Sequence, residues 1–237
     1  MLNLSDNFAQ SIAALKAHKM RAALTMLGLT MGVATLITVI TIVEGANLYV
    51  EQKIANLGTN VFRVARTPFA ATDFSVIIKA LKYKKIEMGD VEAVAPQCMH
   101  CSAVGASAST SVRVRYGSNE LADINLFGHT ANMSIVDTRT VEQGRYFTDG
   151  EDTRSANVCI IGAMLVDQFF PGQNPLGHLI KVGKDEFTVV GTFEKIGSVL
   201  GQDQDNFVVI PMQTYLRQRG MHTAVTMQIQ ALGGAKI

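Results

Sequence analysis

Residues 21–45 read "RAALTMLGLTMGVATLITVITIVEG", with no charged side chain between Arg21 and Glu44. The uncharged run from Ala22 to Val43 holds 22 residues. Wound as a helix at about 1.5 Å per residue it reaches roughly 33 Å, enough to cross a hydrocarbon core of about 30 Å. A secretory signal has a shorter apolar core, about 7 to 15 residues, closed by a small-x-small cleavage site. Here the exit is Val43-Glu44-Gly45-Ala46, with an acid where a small residue should stand. A helix buried in a soluble core seldom needs so long an uncharged stretch. The stretch therefore predicts a transmembrane helix over 22–43, and everything else is placed relative to it.

The flanks set its direction. Lys16, Lys19 and Arg21 precede the span, whereas the fifteen residues after it hold only Lys53 among basic side chains. An excess of Lys and Arg marks the cytoplasmic side, so the amino terminus is expected in the cytoplasm and the residues after Glu44 outside. That outer part carries a net charge of about −1, which gives no electrostatic footprint for nucleic acid. The chain of 237 residues is 48% apolar and 17% charged, which fits one span plus globular structure rather than many spans. The 180 residues after the first 57 suffice for an independent core. No Pro/Ser-rich linker, low-complexity tract or internal repeat interrupts them.

Ahead of the span, Ser5 or Asp6 can cap a short helix with Phe8, Ile12 and Leu15 on one stripe. Its basic end suits the membrane surface, although the residues equally serve as a positive flank. Within the span Thr25, Gly28, Gly32 and Thr35 recur at three and four residues and make a narrow face without bulk. Lipid tails are as apolar as Leu, so small faces matter in a bilayer because they let a second backbone approach closely. These four residues are the candidate helix-packing site. Helical spacing continues through Leu48, Ile54 and Leu57 to a stop at Gly58, predicting a stalk over 44–58.

Beyond Thr59 the pattern becomes strands and short helices. "NVFRVAR" alternates as a strand, "IEMGDVEAVAP" is a short helix ended by Pro96, and "TSVRVRYGSNELADINLFG" is a hairpin around Gly117-Ser118-Asn119. "VCIIG" leads into a helix from about Ala163 to Phe170, stopped by Pro171-Gly172. "LIKVGKDEFTVVGTF" turns near Gly183-Lys184-Asp185. "FVVIPMQTYLRQRG" runs a strand into a helix with Pro211 in its first turn and Gly220 at its end, and "AVTMQIQA" closes as a strand. The outer part is α+β.

Chemistry is sparse. Cys98 and Cys101 form C-M-H-C around His100, without the second pair of a zinc ribbon or the adjacent His of a haem attachment. The two cysteines form a local disulfide or stand as free thiols, with an extracytoplasmic redox enzyme as the third reading. Cys159 reads as a buried strand residue. Phosphate loop, nucleophile elbow and zinc-helix motifs are absent, and "IIGAML" completes no dinucleotide turn. Glu151, Asp152, Asp203 and Asp205 sit in stretches with the composition of solvated turns, and His18, His129, His178 and His222 have no ligand spacing. No catalytic, cofactor-binding or metal residue is named.

The order of segments resembles a family. Arg21, Leu24, Thr25, Leu27, Gly28 and Gly32, then Leu57-Gly58-Thr59-Asn60 before a strand, are similar to the first helix of MacB-like and FtsX-like permeases of ATP-driven transporters. The likeness continues in Gly144-Arg145-Tyr146-Phe147, Gly162, Phe169, Asn174-Pro175-Leu176-Gly177, Val189-Val190-Gly191 and Ile210-Pro211. The resemblance implies a cytoplasmic segment 1–21, a span 22–43, a stalk 44–58 and a periplasmic core domain 59–237 with an inserted subdomain at roughly 90–160. It implies a bacterial inner-membrane location and no ATP hydrolysis by this chain. The implied partners are a separate ABC ATPase subunit, a second permease copy, a periplasmic adaptor and membrane lipid, with no nucleic acid and no cofactor. The family has three more membrane helices, so a chain stopping at Ile237 is expected to be an amino-terminal portion. The competing reading from another class is a single-pass sensor or adhesion protein with a ligand-binding outer domain.

Overall fold

The computed structural model describes residues 17–49, 61–66, 74–199 and 202–232. It consists of two compact units, Met1–Ile54 and Ala55–Ile237.

The first unit is helix α1, Lys19–Tyr49, 31 residues long. The most apolar 18-residue stretch within its segment Lys19–Gly45 has a mean hydropathy of 2.2. Every side chain from 23 to 45 is exposed, and apolar groups lie all round the axis, as suits a helix whose solvent is lipid. Its threonines fit that solvent because each hydroxyl donates to a carbonyl one turn back: Thr25 to Arg21, Thr30 to Leu27, Thr35 to Met31, Thr38 to Ala34 and Thr41 to Ile37, all at 2.8–3.0 Å. No hydroxyl among these five is left to be desolvated unpaired. The helix predicted before residue 17, and the stalk beyond Tyr49, lie outside the described residues.

The second unit is built on strands. In chain order come β1 (Val61–Val64), α2 (Phe74–Ala80), α3 (Met88–Val94) with a single 3-10 turn at Ala95–Gln97, β2 (Cys101–Tyr116), β3 (Asn119–His129), α4 (Met133–Val136), β4 (Val141–Gly144) and α5 (Asp149–Thr153). Then follow β5 (Val158–Ile161), α6 (Ala163–Phe169), β6 (Leu179–Val182), β7 (Asp185–Phe193), the two-residue strands β8 (Ser198–Val199) and β9 (Gln202–Asp203), β10 (Phe207–Pro211), α7 (Met212–Arg219) and β11 (Thr226–Ala231). The predicted hairpins and strand-helix units stand where the alternation placed them. The first hairpin is longer than predicted, because β2 reaches back to Cys101 through "CSAVGAS", where small residues hide the alternation.

Nine strands form one sheet in the order β1-β11-β2-β3-β10-β5-β7-β4, and β6 pairs with both β2 and β7. That double pairing closes the path β2-β3-β10-β5-β7-β6-β2 into a ring. The ring seals where Val114 faces Val182 and Arg115 faces Lys181. Six strands thus lose their free edges, the most economical way for a sheet to satisfy its backbone. The segment 90–160, expected as an inserted subdomain, contributes β2, β3, β4 and β5 to this same sheet.

Alternation along the strands sorts the core into two layers. Val114, Ile124, Leu126, Ile161, Ile180, Phe187, Val208 and Ile210 belong to the larger cluster, which fills the ring. Their neighbours Ile160, Phe207 and Val209 belong to a second, smaller cluster with Phe147 and Phe193. Helix α7 packs its Tyr215 so closely on β3 that a Cβ at Gly128 would stand 2.5 Å from the Tyr215 ring, so glycine is required there.

Candidate functional site

The candidate packing residues all lie on α1. At about 100° per residue, Thr25, Gly28, Gly32 and Thr35 fall within one narrow sector of the helix. A Cβ added at Gly28 or Gly32 meets nothing within 4 Å, so both faces are open among the described residues. Because the Thr25 and Thr35 hydroxyls are held by the carbonyls of Arg21 and Met31, they present methyl groups. What the face offers a neighbour is close approach rather than hydrogen bonding.

In the second unit the chain enters through β1 and leaves through β11, and the two are antiparallel partners, Val61 opposite Gln230 and Val64 opposite Met227. The start of β1 and the end of β11 therefore lie side by side at one end of the sheet. The C-M-H-C turn is at the same end. Cys101 pairs with Ala231, and the Leu232 amide donates to the His100 carbonyl at 2.9 Å. Cys98 and Cys101 are joined as a disulfide with their Cα atoms 5.5 Å apart. Cys159 is fully buried in β5, and burial pushes its thiol well above the usual range, so it is inert.

A charged group that sequence reasoning missed lies in the smaller core. Asp137 and Arg139, between α4 and β4, form a bidentate ion pair with side-chain exposures of 4% and 12%. The guanidinium stacks over Phe207 at 4.6 Å and over Phe127 and Phe193 at 5.3 Å. Beside it, His129 Nδ1 shares a hydrogen bond of 2.9 Å with the Tyr146 hydroxyl. Burial, reinforced by the Arg139 cation and opposed by Asp137, pushes His129 down to about 3, so its ring is neutral. Burial alone would raise the Asp137 carboxyl, but the charge and hydrogen bonds of Arg139 outweigh it and hold it below the usual value. Tyr146 is raised well above its usual range, chiefly by burial. These groups are buried and bond to one another. They anchor the segment between α4 and β4 to β3.

Two of the acids expected in solvated turns are buried. Asp152 accepts from the Gln213 amide at 2.9 Å at the start of α7. Burial raises its carboxyl, opposed by the amides of Gln213, Ala131 and Met212. Asp205, 2% exposed, accepts from the amides of Ile196 and Gly197 at 2.8 Å each and closes the base of the β8–β9 ribbon. Orphan amides at helix and ribbon ends need acceptors, which a short acidic side chain supplies from within the fold. Glu151 is paired with Arg145 through two contacts of 2.7 Å and completes a capping box with Thr148.

A cleft of about 600 Å³ lies between Gln143 of β4 and the end of α6, where Asp167, Phe170 and Gln173 line it. A second, of about 330 Å³, lies between α3 and α5, with Met88 and Val91 opposite Asp149 and Thr153. Neither brings a nucleophile to a base. Among the described residues no group of three or more His, Cys, Asp or Glu side chains is placed to hold a metal.

Residues 22–236 match the family model described as "MacB-like periplasmic core domain". Similar curated proteins include a "Macrolide export ATP-binding/permease protein MacB" of Syntrophobacter fumaroxidans, 27% identical over 211 residues, 87% of this chain and 29% of that protein. Another of the same name, from Azoarcus sp., is 30% identical over 217 residues, 90% of this chain and 32% of that protein. The chain thus spans about a third of the length of the curated relatives it matches. Among solved structures it is similar to the periplasmic region of MacB from Actinobacillus actinomycetemcomitans, with a TM-score of 0.63 and 19% identity over 78% of this chain and 80% of that one. It is also similar to the extracellular domain of the noncanonic ABC-type transporter YknZ from Gram-positive bacteria, with a TM-score of 0.58 and 19% identity over 74% of this chain and 85% of that one.

Proposed function

The chain belongs to the family of the MacB-like periplasmic core domain, and on that premise we propose that it is the permease subunit, or the amino-terminal portion of one, of a MacB-like or FtsX-like ATP-driven transporter. In this reading α1 crosses the bacterial inner membrane with its amino terminus in the cytoplasm. A separate ABC ATPase hydrolyses ATP, and a second permease copy packs on the Thr25, Gly28, Gly32 and Thr35 face. The outer domain receives the movement and acts in export or in lipoprotein or peptide handling. A periplasmic adaptor is a further partner on the same reading.

The pairing of β1 with β11 is the observation that carries the proposal. A domain whose entering and leaving strands are hydrogen-bonded side by side takes a displacement of either membrane connection directly into its sheet. The closed ring beyond them resists distortion and moves as one piece. The domain boundaries at 21, 43 and 58, and a subdomain at roughly 90–160, are part of this proposal.

The test reconstitutes the chain with its ATPase and places a spin label at Ser118, in the exposed β2–β3 turn, of each copy. The expected result is an ATP-dependent change in the label separation, and an unchanged separation through the ATP cycle would refute the relay. Gly28→Leu or Gly32→Leu is expected to weaken association in a membrane assay by roughly tenfold, the equivalent of about 1.4 kcal/mol. Unaltered association removes this face as the contact.

A further inference from the structure

The sheet carries an extra residue where the chain leaves it. Gln230 of β11 faces Ala103 of β2, but the next residue, Ala231, faces Cys101, so Ser102 is left without an opposite. A bulge of this kind interrupts a ladder, and the pairing beyond it is held separately from the pairing before it. Beyond it stand the Ala231–Cys101 pairing and the Leu232 amide, which donates to the His100 carbonyl at 2.9 Å. Among the described residues the register with β1 stops at Val61 opposite Gln230. Both of the last ties therefore depend on the shape of the turn from Cys98 to Cys101.

That turn is closed by the disulfide and by the Cys101 amide, which makes a long bond of 3.4 Å to the Cys98 carbonyl. It stands in solvent. Met99 is 86% exposed, His100 and Ser102 are exposed, and the two cysteines are half-buried. The cysteines are three residues apart in sequence, and a disulfide constrains the unfolded chain less the shorter the loop it closes. The surroundings do not make a redox catalyst of the pair. Cys98 follows the 3-10 turn Ala95–Gln97 and Cys101 opens a strand, so neither thiol sits at a helix N-terminus that would favour its thiolate. The pair is fitted to be acted upon.

We propose that the Cys98–Cys101 disulfide is a redox-sensitive clasp on the leaving end of β11, opened and closed by exchange with an external dithiol. In opening, a thiolate of the dithiol attacks one sulfur and breaks the Cys98–Cys101 bond. A mixed disulfide forms, and the other cysteine leaves as a thiolate that takes up a proton. The second thiol of the dithiol then attacks the mixed disulfide and releases the remaining cysteine. Two electrons and two protons pass to Cys98 and Cys101, and the dithiol ends as a disulfide. With the clasp open, the His100 carbonyl is no longer fixed against Leu232. The end of β11 then frays back to the bulge, while the ladder from Thr226 to Gln230 stays paired.

The test uses the full chain in detergent, equilibrated with mixtures of reduced and oxidised dithiothreitol and trapped with iodoacetamide. Alkylation is expected at Cys98 and Cys101 of the folded chain, with Cys159 unmodified because it is buried. By linkage, the fold favours the disulfide by the same factor as the disulfide favours the fold. For a clasp worth about one hydrogen bond, the midpoint ratio of dithiothreitol should differ about tenfold between the folded chain and the chain in urea. Hydrogen exchange at the Leu232 amide should quicken by about the same tenfold factor on reduction, with Thr226–Gln230 unchanged. Cys98→Ser with Cys101→Ser should show the fast exchange without responding to dithiothreitol. A midpoint shifted by about a hundredfold or more would mark a staple of the whole fold instead. Alkylation of Cys159 together with the pair, exchange quickened along all of β11, or slow exchange at Leu232 in the reduced chain or the double variant would each overturn the proposal.

Discussion

The two layers of the domain share the same strands and solve burial differently. Along β10, Val208 and Ile210 point into the closed ring while Phe207 and Val209 point to the other face. The larger cluster, which fills the ring, gathers aliphatic and aromatic side chains from the strands together with Tyr215 of α7. A wall of paired strands has already satisfied its backbone, so its side chains need only fill space. The smaller cluster is covered by residues 130–157, which carry only the short elements α4, β4 and α5. A cover of that kind has few backbone pairings to hold it, and it brings Asp137, Arg139 and Tyr146 inward to bond with one another and with His129. The difference teaches that a strand-built wall closes by packing, whereas a loop-built cover is stapled by buried charge.

Breaking the staple is the largest expected effect. Asp137→Asn leaves the Arg139 cation buried among Phe127, Phe193 and Phe207 without its counter-charge, and should cost about 3–5 kcal/mol. Removing both charges together, as Asp137→Leu with Arg139→Met, should recover most of that loss, because the desolvation of two ions disappears with their attraction. Urea midpoints of the chain in detergent, followed by tyrosine near-ultraviolet dichroism, measure both. If the double variant is as unstable as the single one, the pair positions the cover in a way packing cannot replace, and the contrast between the layers is deeper than charge.

A smaller effect is read with pH. His129 is neutral in the fold, at about 3, while in the unfolded chain it takes a proton near its ordinary 6.5. Below 6.5 the unfolded state binds more protons, so stability is full above that value and falls as the pH drops toward 3. Between pH 6.5 and 5 the loss should be about 1.5 kcal/mol. The charged groups facing the ring are Arg139 and Asp137. Asp137, itself held low, adds a loss only below its ordinary value of 3.8. His129→Gln should flatten the slope between pH 6.5 and 5, and a slope that persists there would place the titration elsewhere.

How much of this could be read in the sequence follows from how local each feature is. The hairpin at Gly117-Ser118 and the strand-helix unit at Ile210-Pro211 announce themselves through alternation and turn residues within a few positions, and both stand in the fold. The seal of the ring, Val114 against Val182, joins residues far apart, and no local pattern encodes it. Asp152 and Asp205 look like surface acids because they sit among other polar residues. Their partners, the amides of Gln213, Ile196 and Gly197, are backbone groups that composition does not reveal. The Thr148-x-x-Glu151 capping box was a legible signal, and it would have fixed Glu151 as a helix-start residue.

The finest comparison uses two adjacent residues of one type. Ile160 and Ile161 are both fully buried in β5, Ile160 in the smaller cluster and Ile161 in the larger. Ile→Val removes one methylene from either, and the cost, about 0.5–1.5 kcal/mol, depends on how far the surroundings can settle into the space. Around Ile161 the surroundings are paired strands that close on themselves, so the cavity stays open and the cost should lie near the upper end. Above Ile160 the cover can shift on its staples, and the cost should lie near the lower end. The two variants differ by neither charge nor strand pairing, so the difference between their urea midpoints isolates the stiffness of the two layers. Equal midpoints would mean that the cover is as rigid as the ring, and that the ion cluster holds it as firmly as strand pairing holds the wall.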